Sequence, residues 1–246
     1  MCKESDLVEI LNGRIIAFEG LDNSFKETNY KAFVARLRYE ADIEIVTESF
    51  PRYGTQPALV LEKWLDGSLD RDHMKAHPVA TCNLYCADRL AYWYESVHGT
   101  QRNIEKLRDR TPDHESVFVF DRYSSSNAIY NPMLNPDNVT VEDLKYDEKV
   151  YGIPTPDIVV WMRMKYFEVL ERLIAQKANK DLNELDTSFI RGVWERSERA
   201  IKTNVFASAG INLIVVDVID DDGNIKTRKQ LADEIYTHII EEADKL

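Results

Sequence analysis

Residues 14–28 read RIIAFEGLDNSFKET, and this apolar run followed by a polar loop decides the fold. The β-branched and aromatic residues of positions 14–19 predict a short buried strand. Residues 29–40 carry apolar side chains on one side, which predicts a helix directly after the loop. A strand, a short loop and a helix in this order are typical of α/β proteins.

The rest of the chain repeats this alternation of strand and helix. Further apolar runs predict strands at residues 43–46, 116–120, 158–164 and 211–218. Helices are predicted at residues 56–65, 78–96, 104–109, 166–176, 187–207 and 228–244. Continuous apolar strands that alternate with helices indicate a five-stranded parallel sheet with helices on both faces. We expect a single α/β domain over residues 1–246, in which a polar connection at 131–155 could act as a flap.

Composition argues against several classes of protein. The formal net charge of the 246 residues is −12, so a broad basic face for nucleic acid is not expected. The apolar runs are too short to span a bilayer, and residues 1–12 lack the core of a signal peptide. Three cysteines are too few for a disulfide framework, which predicts a cytoplasmic protein. An anionic ligand would need a few arginines placed locally, because the acidic chain repels it.

The loop after the first strand partly matches the phosphate-binding pattern G-x-x-x-x-G-K-[ST]. Gly20 and Lys26 match, but Phe25 stands at the second glycine and Glu27 at the hydroxyl position. Backbone N–H groups and the helix N-terminus would still face an anion there. A left-handed Phe25 would cost roughly 1–2 kcal/mol. Glu27 would repel phosphate unless it holds Mg²⁺ or Thr28 supplies the hydroxyl. A plain turn without any ligand is the alternative.

Three further segments carry residues suited to a nucleotide, each at the end or side of a predicted element. Arg52 follows the second strand beside a proline, which suits bidentate capture of a phosphate. Tyr85 and Arg89 lie four apart on one helix face, where a ring and a guanidinium can hold a base. Asp121 and Arg122 end a strand, where they could bind Mg²⁺ and phosphate. The alternatives are a solvated loop arginine, a core-edge tyrosine with a surface ion pair, and a strand-terminating turn.

Taken together and in this order, the segments resemble the thymidylate kinase family over nearly the whole chain. The matching stretches are FEGLD at 18–22, FPRYG at 50–54, LYCADR at 84–89, DRYSSSNAIY at 121–130 and IPTPDIVVWM at 153–162. Deoxynucleoside kinases share a similar opening and a DR motif, but they generally lack the FPRYG and ADR pair. The resemblance implies a P-loop nucleoside monophosphate kinase fold, a homodimer formed through helices, and phosphoryl transfer from ATP to dTMP with Mg²⁺.

The resemblance also implies roles for individual residues. The catalytic residues would be Asp22, Lys26 and Arg122. The residues implied to bind dTMP are Arg52 and Arg122 at its phosphate, Tyr85 and Arg89 at the base, and Ser126 and Tyr130 near base and sugar. The residues implied to bind ATP are Gly20, Asn23, Ser24, Lys26, Glu27 and Thr28. The implied metal ligands are Asp121 and Glu27, and the lid over ATP would be residues 176–186.

The chain departs from the family pattern in its catalytic half. Asn23, Phe25 and Glu27 alter the phosphate loop, and Arg163 stands where the family usually has an acidic residue. The predicted lid has no arginine, although losing one transition-state donor can cost on the order of 10²–10³ in rate. Two alternatives to an active dTMP kinase therefore stay open. One is a catalytically impaired nucleotide-binding relative, and the other is a kinase for a modified pyrimidine monophosphate.

Two of the cysteines, Cys82 and Cys86, stand four residues apart on a predicted helix, with His77 upstream. A metal site would need more ligands at a compatible spacing than this stretch provides. The sequence therefore favours a pair of buried thiols.

Overall fold

The structure is a computed structural model that describes residues 4–70, 76–96, 101–109, 115–175 and 186–246. Five strands form one sheet: β1 (Ile15–Gly20), β2 (Glu44–Ser49), β3 (Ser116–Asp121), β4 (Ile158–Arg163) and β5 (Asn212–Asp217). The strand order is β2-β3-β1-β4-β5, and every pair is parallel. All six residues of β1 are buried, which requires cover on both faces of the sheet. The predicted α/β fold with a five-stranded parallel sheet is confirmed.

Helices occupy most of the described chain between and around the strands. They are α1 (Glu4–Leu11), α2 (Lys26–Glu40), α3 (Leu59–Leu65), α4 (Pro78–Tyr94), α5 (Asn103–Arg108), α6 (Ser124–Tyr130), α7 (Val141–Leu144), α8 (Tyr146–Tyr151), α9 (Tyr166–Ala175), α10 (Thr187–Lys202), α11 (Val205–Ser208) and α12 (Arg228–Ala243). A 3₁₀ turn at Gln56–Ala58 precedes α3. Across the described residues, we find no helix with the length and hydrophobicity needed to cross a bilayer.

The helices differ from the sequence prediction in four places, and one of them is α6 at Ser124–Tyr130, where no helix was predicted. α1 was not predicted, because its apolar stretch is short, yet Leu7 and Leu11 are buried in the core. The helix predicted at 187–207 is interrupted at Asn204, whose φ of 55° is the left-handed conformation that asparagine tolerates best after glycine. The expected flap at 131–155 contains α7 and α8, so much of it is helical.

The predicted lid at 176–186 lies outside the described residues except for its last position. That residue, Asp186, is the N-cap of α10, where its carboxylate accepts a hydrogen bond from the Phe189 backbone N–H. Such a cap satisfies one of the unpaired N–H groups at the start of a helix.

The register of the sheet places the functional segments next to one another. β1 lies between β3 and β4, with Phe18 opposite Asp121 and Gly20 opposite Met162. Because the strands are parallel, the segments that follow β1, β3 and β4 all leave from the same edge of the sheet. This carboxyl edge is where ligands bind in open α/β sheets.

Gly20 is the last residue of β1. Its backbone conformation would strain any residue with a side chain, and its surroundings leave no room for a Cβ atom. Its φ is +147°, and a Cβ there would lie 2.9 Å from the Met162 backbone oxygen and 2.6 Å from Ser24 Oγ. A side chain at such a φ is strained even before these contacts are counted.

We therefore expect Gly20→Ala to lower the free energy of unfolding by roughly 2–4 kcal/mol. Gly192→Ala is the matched control, because Gly192 lies inside α10 and its new Cβ would meet only the end of the Arg196 side chain. The control should raise stability by about 0.5–1 kcal/mol, since alanine favours a helix interior. Urea denaturation of the two variants checks both signs, and equal effects would contradict this account of Gly20.

Candidate functional site

The loop after β1 holds two non-glycine residues in the left-handed backbone conformation. Asn23 and Phe25 both have a φ of 63°, the left-handed conformation in which glycine is least strained. α2 then begins at Lys26, and its N-cap Phe25 makes no side-chain capping bond. The N–H groups of the first turn of a helix have no partner within the helix, so they are available to an anion.

This loop forms one wall of a cavity that we call the loop cavity. Its lining residues are Leu21, Asp22, Asn23, Ser24, Phe25, Lys26, Glu27, Thr28, Arg172 and Arg228. Sequence reasoning missed both arginines, because they come from α9 and α12 and belong to none of the recognised motifs. The Arg172 guanidinium lies 3.9 Å from the centre of the Phe25 ring. Among the described residues, the buried Ser24 Oγ and Arg172 Nε have no hydrogen-bond partner.

Lys26 and Asp121 form an ion pair behind the loop. Lys26 Nζ lies 3.0 Å from Asp121 Oδ1, and the two side chains are 10% and 13% exposed. Burial and the nearby Arg122 charge lower the pKa of Lys26, while Asp121 opposes that shift. Glu27, the other expected metal ligand, is instead 64% exposed and accepts a hydrogen bond of 2.5 Å from Lys31. The two expected metal ligands are therefore engaged by different lysines.

A second cavity lies beside the first, and we call it the tyrosine cavity after its four tyrosines. Its lining residues are Asp22, Phe50, Pro51, Tyr53, Leu65, Tyr85, Arg89, Arg122, Tyr123, Ser126, Asn127, Tyr130, Asn131 and Ile190. Six of them were predicted site residues: Asp22, Tyr85, Arg89, Arg122, Ser126 and Tyr130. Asp22 lines both cavities, so the two adjoin at this carboxylate.

Arg122 connects the loop with the tyrosine cavity. Its Nη2 bonds to Asp22, and its Nη1 donates to the Gly20 oxygen at 3.4 Å and to Ser126 Oγ at 3.3 Å. The guanidinium also lies 5.4 Å from the centre of the Tyr130 ring. Burial, the largest single effect, opposes its charge, but Asp22, Tyr130 and Glu19 together outweigh burial and hold the pKa of Arg122 above its usual range. Arg122 therefore stays charged where the two cavities adjoin.

Arg89 is held in the interior rather than at the surface. It is 2% exposed, and its Nε donates to Asp147 Oδ2 at 2.6 Å. Tyr85, one turn earlier on α4, is half-buried and lines the same cavity. The alternative of a surface ion pair at Arg89 is therefore wrong, because both members of the pair are buried. Sequence reasoning could not name Asp147, since it lies 58 residues further along the chain.

Arg52 lies next to the tyrosine cavity but is held by its own carboxylate. Its Nε donates to Asp88 Oδ1 at 2.8 Å, and its Nη2 donates to the Asp88 backbone oxygen at 2.9 Å. The neighbouring Phe50, Pro51 and Tyr53 line the cavity, whereas Arg52 is absent from its wall over the described residues. The structure thus brings five of the six residues expected to bind dTMP to this cavity and leaves Arg52 paired beside them.

Glu19 is a second functional residue that the motifs did not single out. Its side chain is fully buried and accepts hydrogen bonds from the N–H groups of Tyr123 and Ser126, at 2.9 and 3.0 Å. Ser126 Oγ also bonds to this carboxylate. The three donors hold the turn between β3 and α6, which carries Arg122. Burial raises the pKa of Glu19 above its ordinary 4.5, against the lowering effect of Ser126 and Arg122.

A scan against protein-family models found no match to this chain, and a search of curated proteins found none either. What the protein does therefore has to be inferred from its own residues. The geometry relevant to that inference is a pair of adjoining cavities at the carboxyl edge of a parallel sheet. One is lined by the loop after β1, and the other is lined by tyrosines, the buried Arg89 and the half-buried Arg122.

The raised pKa of Glu19 has a consequence for stability that can be measured. Because its folded-state pKa lies above 4.5, Glu19 contributes stability at low pH that is lost as pH rises through the folded pKa. Glu19→Gln keeps an oxygen acceptor but cannot ionise. We expect the unfolding free energy of the native protein relative to Glu19→Gln to fall as pH rises from about 4 to about 7.

Urea denaturation of both proteins across this pH range measures the difference. The exposed Glu95→Gln is the control for removing one carboxylate from an acidic protein. A difference that rises with pH, or one that Glu95→Gln reproduces, would contradict the assignment to the buried Glu19.

Proposed function

We propose that this protein is a thymidylate kinase-like phosphotransferase that moves the γ-phosphoryl group of ATP to dTMP. The observation that carries the proposal is that the loop cavity and the tyrosine cavity adjoin at Asp22, beside Arg122. Phosphoryl transfer needs two nucleotides held with their phosphates adjacent, and little covalent chemistry from the protein. A shared boundary between an anion-type loop and an aromatic cavity suits that requirement.

The tyrosine cavity has the chemistry to hold a nucleoside monophosphate. Tyr85 offers an aromatic face for the base, and bases stack on such rings for about 1–3 kcal/mol each. Arg89 can donate hydrogen bonds to a base edge, because Asp147 orients its guanidinium and keeps it charged. Arg122 has five N–H donors, and its bonds to Gly20, Ser126 and Asp22 leave capacity for a phosphate. We assign these three residues to dTMP.

The loop cavity has the chemistry to hold the phosphates of ATP. The open N-terminus of α2, Lys26 and the two arginines supply positive charge in a chain whose net charge is −12. Ser24 Oγ and Arg172 Nε have no partner among the described residues, and both can donate a hydrogen bond to a phosphate oxygen. Asp121 offers the hard oxygen ligand that Mg²⁺ prefers. Bound there, Mg²⁺ would neutralise charge on the phosphates.

In the proposed reaction, a phosphate oxygen of dTMP bonds to the γ-phosphorus of ATP. The bond from that phosphorus to the oxygen of the departing ADP breaks, and dTDP is formed. Lys26 and Arg122 stabilise the negative charge of the transferring group, since preorganised donors act strongly in a site shielded from water. Asp22 positions Arg122 through their ion pair.

A second candidate function is nucleotide binding with impaired catalysis. Phe25 favours it, because a large ring replaces a glycine in the phosphate loop and engages Arg172. In that case the protein binds dTMP and ATP but does not transfer the phosphoryl group. A kinase for a modified pyrimidine monophosphate differs from our proposal only in the base that the tyrosine cavity accepts.

An ADP-release assay with dTMP, dUMP, dCMP and dGMP tests the proposal directly. We expect turnover that is fastest with dTMP. Arg122→Ala should lower kcat/KM by about 10²–10³, because it removes a donor at the transferring group. The exposed Arg191→Ala on α10 should leave it unchanged. Absence of turnover with every monophosphate, together with calorimetric dTMP binding, would replace our proposal by the impaired candidate.

The proposed stacking of the base on the Tyr85 ring can be tested by substitution. Tyr85→Leu should raise the KM for dTMP by about tenfold or more, because stacking is lost. The matched control is Tyr39→Leu, since Tyr39 is 91% exposed on α2. A Tyr85→Leu enzyme with an unchanged KM would show that the ring does not hold the base.

Mg-ATP binding distinguishes the role of Arg172 from that of Glu27, since both residues line the loop cavity. Arg172→Ala should weaken Mg-ATP binding by about tenfold or more, because a charged donor to phosphate is worth about 1.5–3 kcal/mol. Glu27→Ser should change it by less than about threefold, since an exposed side chain paired with Lys31 is worth little. Isothermal titration calorimetry measures both. The reverse order would mean that Glu27, and not Arg172, governs the phosphate site.

We also propose that the protein acts as a homodimer in the cytoplasm, as the family resemblance implies. Cys82 and Cys86 are free and buried, which suits a reducing compartment. Analytical ultracentrifugation of the purified chain tests the dimer.

A further inference from the structure

Cys82, Cys86 and Asp147 form a buried group that the proposed phosphoryl transfer does not use. Their exposures are 1%, 0% and 4%, and their two sulfurs and one carboxylate oxygen all lie within 4.8 Å of one another. The cysteines come from α4 and the aspartate from α8. The sequence offered only the cysteine pair, and the fold adds the third ligand atom.

The sulfur positions match a tetrahedral metal site. Cys82 Sγ and Cys86 Sγ lie 3.8 Å apart. Two thiolates at about 2.3 Å from a tetrahedral zinc ion are about 3.8 Å apart, so neither sulfur has to move. Asp147 Oδ1 lies 3.0 Å from Cys86 Sγ, whereas zinc ligation places such a pair about 3.5 Å apart. Asp147 therefore needs to retreat by about half an ångström.

Arg89 is not a ligand itself, but it holds the Asp147 carboxylate in place. Its Nε donates to Asp147 Oδ2 at 2.6 Å, which leaves Oδ1 directed at Cys86. A ligating carboxylate is commonly held by such an outer hydrogen bond. On the other side, the amide nitrogen of Asn127 lies 2.8 Å from Cys82 Sγ. Every ligand atom thus has a neighbour that can orient it.

Charge balance also favours a divalent cation. With both thiols protonated, Asp147 and Arg89 cancel, and the buried group is neutral. If a divalent ion replaces the two thiol protons, two thiolates and one carboxylate balance the ion and Arg89. The buried group is again neutral, so the large cost of an unpaired buried charge does not arise.

We propose that Cys82, Cys86 and Asp147 bind one thiophilic divalent metal ion of the zinc type, which ties α4 to α8 behind Arg89. The fourth position of the tetrahedron is left for one water molecule. On binding, each Sγ–H bond breaks, two S–metal bonds form, and two protons pass to the solvent. No residue is oxidised or reduced.

Cobalt(II) is the probe, because tetrahedral thiolate ligation gives it visible ligand-field bands and an ultraviolet charge-transfer band that zinc lacks. The whole chain, stripped of metal and fully reduced, is incubated with Co²⁺ until the spectrum is constant. We expect both sets of bands to saturate at one equivalent and to disappear on addition of Zn²⁺. Zn²⁺ should also raise the Tm of the protein.

Two variants and one control assign the site. Cys82→Ser and Cys86→Ser should each abolish the charge-transfer band of stoichiometric binding and the rise in Tm. Cys2→Ser removes the third cysteine of the chain and should change neither result. Because serine is close in size to cysteine, these variants are expected to fold, and circular dichroism checks that they do.

Three results would overturn the proposal. They are no thiolate band at one equivalent of Co²⁺ in folded protein, bands that survive in the Cys82→Ser and Cys86→Ser variants, or bands lost only in Cys2→Ser. If mild peroxide instead links Cys82 to Cys86 and Co²⁺ gives no band, the pair is a redox pair. These outcomes do not depend on nucleotide turnover, so they can be told apart from failure of the kinase proposal.

Discussion

The carboxylate of Glu19 joins the ends of two neighbouring strands, and both cavities depend on that junction. It lies on β1 and accepts the N–H groups of Tyr123 and Ser126 in the turn after β3. Loss of one such acceptor leaves a buried donor unpaired, at a cost of about 1–3 kcal/mol. The turn held in this way places Arg122, at a left-handed φ of 64°, within reach of Asp22. Two segments 100 residues apart thereby become one boundary between the cavities.

Buried arginines need partners, and the choice of partners shapes what this site can do. Arg89 is paired with Asp147, and Arg122 with Asp22. A buried charge without a partner would cost several kcal/mol, so these carboxylates allow guanidinium groups inside an acidic protein. They also hold the donors in position before any ligand arrives, which is what catalysis by preorganised charge requires. In the proposed function, a phosphate at Arg122 would have to share this residue with Asp22, and its binding would thereby depend on the position of the loop.

The parts of the molecule that sequence could predict are those encoded by neighbouring residues. Apolar runs predicted all five strands, and the loop pattern predicted that Phe25 would stand at a glycine-like position. Glu19, Arg172 and Asp147 escaped notice because their roles arise from contacts between distant segments. Asp147, for instance, lies 61 residues from Cys86 and in a connection whose polarity suggested a flap. Short-range patterns carry no information about such pairs, whereas the sheet order and helix packing do.

Phe25, in the loop after β1, makes a contact that offsets the cost of its backbone conformation. A left-handed phenylalanine costs roughly 1–2 kcal/mol, and a cation over an aromatic ring returns about 0.5–2 kcal/mol. The Arg172 guanidinium at 3.9 Å from the ring of Phe25 therefore offsets a cost of similar size. The side chain that stands in place of the glycine thus stabilises the loop through Arg172, and it does so at the cavity that both candidate functions assign to phosphate.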